Sequence, residues 1–352
     1  MKKLLSILVC LMLVAVLGGC GNQAVQKPEE KIAPKKLKIV TTIFPLQDWT
    51  REILGKEAAN ADLTMLIKSG VDMHSYQPTA DDLVKISSCD VLIYVGGESD
   101  QWIEKARKEA VNKNMVTVRL MDALGDRLKH EETVEGMESH HHHHDEKDEH
   151  KHDEKDEHHE EKHKHEEEKH EHHEEYDEHI WLSLKNAQLC VDAIADALAR
   201  ADEAHAQAYK DNAATYRAKL SGLDKEYETA VAASPKKTLL FGDRFPFRYL
   251  VDDYGLKYYA AFPGCSAEIE ASFETIAFLA AKLDELKLST ILTIEGSSHK
   301  VAETILYNTP THDQKILVLD SMQSIIGGKP ASGADYLAVM RKNLDVLKEA
   351  LK

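Results

Sequence analysis

The chain has 352 residues, with 61 acids against 44 lysines and arginines and a formal net charge of −17. That length allows two domains with cores of their own. Residues 140–178 alone hold 18 acids against 6 lysines, twelve of the seventeen negative charges. The remainder therefore has no broad basic face, which excludes a nucleic-acid-binding role.

Lys2 and Lys3 precede an apolar run over residues 4–17, followed by Gly18-Gly19-Cys20. A charged start, a short apolar stretch and small residues before a break describe a secretory signal, and the run is shorter than the ~20 residues of a spanning helix. The tetrad LGGC resembles the bacterial lipoprotein cleavage box. That resemblance implies a signal peptide over 1–19, lipidation of Cys20 and a flexible tether over 20–36. It implies a membrane-anchored protein on the extracytoplasmic face of a bacterium.

Residues 37–125 alternate strands with helices. LKIVTT (37–42), DLTMLI (62–67), DVLIYV (90–95) and 116–120 read as strands, with helices after the first, second and third. Thr79 is placed to cap a helix starting near Ala80, with Asp81 and Asp82 in its first turn. Such alternation predicts a parallel α/β lobe, and ligands in parallel sheets bind beyond the carboxyl ends of the strands, where His74 falls.

Residues 126–178 are predicted to be a disordered acidic loop, because their His-rich core over 140–173 has no apolar residue to offset the entropy of ordering. Fourteen histidines interleaved with acids in this tract mark a segment that attracts divalent metal. Beyond it, residues 179–233 carry apolar positions at helical spacing, including a long pattern over about 202–232. Residues 234–352 repeat the β/α alternation, with strands at 237–241, 258–262, 289–295 and 315–319, a helix from about 272 to 286 and a closing helix over 335–351. The predicted fold is thus α/β, two similar lobes with parallel sheets and a long helical pattern between them in the sequence. Cys89 and Cys190 sit in apolar periodic runs and read as core thiols, whereas Cys265 lies in a Gly-containing loop and stays open.

GVDMHSYQPTADDL (70–83) resembles the G-x-x-x-H-x-Y-x-P-T-x-x-D segment of the metal-specific solute-binding proteins of ABC importers, the zinc and manganese cluster. TTIFPLQDWTREILG and CDVLIYVGGESDQWIEKA resemble the same family's first lobe. DEHIWLSLKNA (177–187) resembles the segment that supplies its second histidine, here His179, and a His-rich acidic insertion before that segment is a habit of the zinc-importing branch. The resemblance implies metal ligation by His74 and His179 at a site in the cleft between the lobes, a long helix that joins both lobes as a rigid backbone, and a monomer that captures an ion for an ABC permease and its ATPase.

Where zinc-binding members carry a third histidine, this chain has Arg244, whose guanidinium has no lone pair to give. It is available to pair with a nearby carboxylate instead. Manganese-binding members also lack that histidine and use a glutamate from the next loop, so the resemblance implies Glu270 as a ligand; Asp320 resembles the family's last ligand, and Asp243 and Cys265 stand in reserve. His299 reads as a surface residue at a helix start. Two imidazoles suit Zn²⁺, while the oxygen content also admits Mn²⁺. No HExxH, GxSxG or nucleophile–base pair marks an enzyme. The rival readings are a manganese-binding member of the same family and a surface adhesin that binds metal incidentally.

Overall fold

The computed structural model describes residues 36–68, 70–138, 176–266, 270–323 and 335–352. The leader, Cys20, most of the tether and residues 139–175 of the His-rich tract lie outside the described residues. Among those described, no helix is long and apolar enough to cross a membrane.

In the first lobe β1 (Leu37–Thr41), β2 (Ala61–Met65), β3 (Val91–Tyr94) and β4 (Val116–Arg119) form a parallel sheet in the order β2-β1-β3-β4. Its helices are α1 (Phe44–Leu54), α2 (Ala80–Ser88) and α3 (Gln101–Lys108). All four residues of β3 are buried, as expected of a strand covered on both faces. Thr79 caps α2 by accepting from the Asp82 N–H while Asp82 accepts from the Thr79 N–H, a reciprocal box.

The second lobe repeats the order. β5 (Thr238–Phe245), β6 (Lys257–Pro263), β7 (Thr290–Thr293) and β8 (Lys315–Val318) run parallel as β6-β5-β7-β8. Strand β5 extends four residues past its sequence-predicted end, through a register shift between Phe241 and Arg244. The helix Arg248–Tyr254, which follows the Phe-Pro-Phe run of 245–247, was not legible from periodicity because it makes only two turns. His299 stands at the start of the helix Lys300–Tyr307 in a left-handed conformation.

Two helices join the lobes, α4 (Leu184–Ala201) and α5 (Ala206–Ala233). At 28 residues, α5 is about 42 Å long. Near one end the Asn212 amide donates to the Ile53 carbonyl of α1, and near the other the Tyr227 hydroxyl donates to the Met340 carbonyl of the closing helix Tyr336–Ala350. A continuous buried core follows this spine through both lobes. Asp48 of α1 accepts from the Tyr336 N–H at the closing helix's first turn, the Tyr336 hydroxyl donates to the Trp181 carbonyl at 2.6 Å, and the Trp181 indole donates to the Ser321 carbonyl at 2.8 Å.

Part of the expected acidic loop has a place in the fold. Residues 128–138 run along the second lobe, where the Glu138 N–H donates to the Ala261 carbonyl and Met137 is buried. Tyr176 returns to stack on His130, 4.4 Å between ring centroids. His130 and Tyr176 are thus held side by side at the base of this segment. Asp177 and Glu178 are buried.

Candidate metal centre

The carboxyl ends of both sheets face one cleft, and five separated segments deliver side chains to it. After β2, Asp72 opens a single 3₁₀ turn (Met73–Ser75) and its Oδ1 accepts from the His74 N–H at 3.0 Å, which fixes the His74 backbone. After β3, Ser99 lies beside the His74 ring, with its hydroxyl oxygen 2.8 Å from Nδ1. At the end of the insertion, Asp177 accepts from both the His179 N–H and its Nδ1, at 2.8 and 2.9 Å. After β6 comes Cys265, and after β8 comes Gln323.

The hydrogen bonds settle where the ring protons sit. The Asp177 carboxylate can only accept, so His179 carries a proton on Nδ1 and turns Nε2 to the cleft. Glu178 accepts from the Ser99 N–H at 2.8 Å through Oε1, and its Oε2 lies 3.9 Å from His74 Nδ1. A carboxylate on that side favours the His74 proton on Nδ1, with the Ser99 oxygen accepting it, so the Nε2 of His74 also faces the cleft. The two Nε2 atoms stand 3.1 Å apart. Two lone pairs at that distance repel unless a proton or a cation lies between them. Two zinc–nitrogen bonds of about 2.0 Å at a tetrahedral angle separate their nitrogens by about 3.3 Å, so the pair fits one ion with little movement.

Electrostatics point the same way. Burial drives the His74 pKa down to about 3, aided by the neighbouring charge of His179 and opposed by Asp72, so its ring is neutral at any ordinary pH. Burial also disfavours charge on His179, but the Asp177 carboxylate overrides it and raises that pKa. The Cys265 thiol is pushed up by burial and by Glu131, Asp177 and Glu178 nearby. Around the rings, acceptors outnumber donors: Glu178 Oε2 and Gln323 Oε1 are buried without a hydrogen-bond partner. The space around the two rings thus holds buried acceptors that no donor meets.

Of the residues expected at the site, the structure brings together His74, His179 and Cys265. Ligand atoms of these three lie within 4.8 Å of one another, the only such group of three or more among the described residues. Glu270 is exposed and lies outside that group. Asp320 also lies outside it: its Oδ1 accepts from the Met322 N–H at 2.9 Å, bracing a turn in which Met322 has φ 59°. Asp243 accepts from the Arg244 and Ile294 N–H groups and so ties β5 to the end of β7.

Arg244 pairs with none of the carboxylates of its own lobe that the sequence offered. It crosses the cleft to Asp72, with Nη2 2.6 Å from Oδ2, and its Nη1 donates to the Ser266 carbonyl at 3.3 Å. A position that lacks a third nitrogen ligand thus ties the His74 turn to the Cys265 loop. Ser99, Asp177, Glu178 and Gln323 were missed as site residues. Asp177 and Glu178 stood next to a candidate ligand and were countable as acids that orient it, whereas nothing local distinguishes Ser99 or Gln323.

Over residues 39–350 the chain matches the family of zinc-uptake complex component A, periplasmic, or ZnuA. It is 31% identical over 320 residues to the zinc-binding protein AdcA of Streptococcus pyogenes, an alignment covering 91% of this chain and 57% of that protein. It is 30% identical over 342 residues to the high-affinity zinc uptake system protein ZnuA of Bacillus subtilis, covering 97% and 95%. Among solved structures, Zn(II)-bound AdcA from Streptococcus pneumoniae superposes with a TM-score of 0.66 at 27% identity, covering 90% of this chain and 58% of that one. The metal-dependent lipoprotein YcdH of Bacillus subtilis gives 0.67 at 27%, covering 90% and 99%. The chain thus spans little more than half the length of the streptococcal relatives and nearly all of the Bacillus ones.

Proposed function

Because the chain belongs to the zinc-uptake complex component A family, we propose that it captures a zinc ion outside the cytoplasm and hands it to an ABC permease driven by its ATPase. The observation that carries this reading is the pair of Nε2 lone pairs 3.1 Å apart, each aimed by a hydrogen bond to the ring's other nitrogen. An imidazole oriented from behind by a carboxylate is the arrangement that metal sites use to fix tautomer and raise basicity. His74 and His179 are the nitrogen ligands. Glu270 and Asp320 stay outside the inner shell, the first exposed and the second committed to its turn.

The protein acts as a carrier and not as a catalyst, so zinc is cargo. Lipidation at Cys20 would hold it at the membrane surface, within reach of the permease, and the name of a relative, zinc-binding lipoprotein AdcA of Streptococcus pneumoniae, supports that placement. The His-rich tract would gather zinc weakly. Manganese is the weaker reading, because a site with two imidazoles follows the general affinity order that ranks zinc above manganese.

Elemental analysis of the purified chain, washed with a moderate chelator to strip weak sites, tests the assignment. One zinc per chain is expected for the wild type and none for His74→Ala or His179→Ala. Retention of that zinc in both variants would refute the site.

A further inference from the structure

Resting on the zinc-capture reading, we propose that Cys265 supplies a thiolate to the bound ion, so that the second lobe completes the shell with sulfur at a site whose expected third histidine is Arg244. The Sγ of Cys265 lies with the two ring nitrogens inside 4.8 Å. With zinc–sulfur bonds of about 2.3 Å and zinc–nitrogen bonds of about 2.0 Å, a tetrahedral ion needs nitrogen–sulfur separations of about 3.5 Å. Only a small closure separates the observed group from that geometry.

The loop that carries Cys265 is built to hold it there. Gly264 packs on the His179 ring so closely that a Cβ would fall 3.1 Å from Cε1 and 2.8 Å from the Phe245 carbonyl oxygen. The Cys265 N–H donates to Glu131 at 3.0 Å, and the next carbonyl, of Ser266, accepts from Arg244. Arg244 in turn is anchored on Asp72, which fixes the backbone of His74. The thiol loop and the histidine turn are thus tied to each other across the cleft, independently of any ion.

A second observation points to the same centre. Gln323 is 3% exposed, and its amide nitrogen stands 3.3 Å from His74 Nε2 while its oxygen is buried without a partner. A half-turn of the amide exchanges nitrogen for oxygen and places a lone pair toward the ring nitrogens, the fourth corner of the shell. Glu295 holds that segment by accepting from the Ser321 and Gln323 N–H groups. Cys89 and Cys190, by contrast, are buried in the core with no such company.

As the sulfur–zinc bond forms, the S–H bond breaks and its proton leaves to solvent, with no change of oxidation state. A thiolate is a soft ligand that suits zinc and disfavours manganese, which prefers hard oxygen. Cys265 is therefore the residue that sets specificity within the cleft.

The test is absorption spectroscopy of the full-length chain loaded with one equivalent of Co²⁺. A thiolate on cobalt gives a near-ultraviolet charge-transfer band that nitrogen and oxygen ligands do not, and the His-rich tract contains no cysteine to imitate it. The wild type should show the band and Cys265→Ser should lose it. The serine variant should also lose zinc affinity by more than the roughly 10–100-fold that an outer partner costs. Cys265→Asp, which keeps an anionic but hard ligand, should retain zinc better than serine and raise manganese affinity relative to zinc by more than tenfold. Absence of the band in wild type, or its survival in Cys265→Ser, would overturn the thiolate. A missing band together with one chelator-resistant zinc lost in His74→Ala would sink the thiolate alone and leave zinc capture standing. If the serine variant fails to fold, the wild-type spectrum and the aspartate variant decide.

Discussion

Asp177 does two things with one oxygen. It accepts from the backbone N–H of His179 and from that ring's Nδ1, so it sets both where the imidazole sits and which nitrogen faces the cleft. Replacing it with alanine leaves His179 free to hold its proton on either nitrogen and to rotate. We expect Asp177→Ala to weaken zinc binding by roughly 10–100-fold while one zinc per chain still binds at saturation. Isothermal titration gives both numbers, and an unchanged affinity would show that the orienting bond is idle. The two histidines themselves were legible in the sequence because each sits in a segment with family-like neighbours. Their partners were not. Ser99 meets Glu178 across 79 residues and Gln323 meets His74 across 249, and no periodicity or local motif encodes pairings at such distances. Arg244 was legible as a residue unable to ligate, because that follows from guanidinium chemistry alone. Its partner across the cleft followed only from the structure.

Among the elements, strands were the most legible. Fully buried parallel strands such as β3 and β7 read as short apolar runs between turn residues, and the cap at Thr79 was visible as spacing, though not the bond that Asp82 returns to it. The turn that follows β3 was harder to read, since its organiser is a buried acid. Asp100 is 2% exposed and accepts from the Val95 and Gly96 N–H groups. Burial, reinforced by Glu178, outweighs those bonds and raises its pKa to about 7. Its folded value thus lies above the ordinary carboxylate value of about 3.9. The stabilisation from keeping its proton is complete below that ordinary value and is lost as pH rises through about 7. Asp100→Asn keeps an acceptor for the turn without the charge, so the stability difference between pH 5 and pH 8 should shrink in that variant. Urea unfolding of the chelated protein at the two pH values measures it, and an identical difference in variant and wild type would rule out Asp100 as its source.

At the scale of the molecule, the site depends on two lobes held in one relation. The spine α5 touches both, the Trp181–Tyr336–Asp48 chain of hydrogen bonds stitches them through the core, and Arg244 to Asp72 closes the cleft side. The two-lobed architecture was legible from the repeated β/α alternation. The extent of the His-rich insertion was not, because residues 128–138 look polar and loop-like yet lie against the second lobe. His130 pairs with Tyr176 and residues 131–138 dock on the second lobe, so the contacts that hold both flanks lie outside residues 140–173, whose removal should leave the cleft intact. An ion that binds only the folded cleft should stabilise the body by mass action, and a chelator should reverse this. The most direct measurement is zinc titration of a chain lacking residues 140–173, in competition with a chelator of known affinity. The expected result is one tight zinc per chain, as in the full-length protein, with the weaker additional sites gone. Loss of all stoichiometric zinc on deleting the tract would contradict the assignment of capture to the cleft.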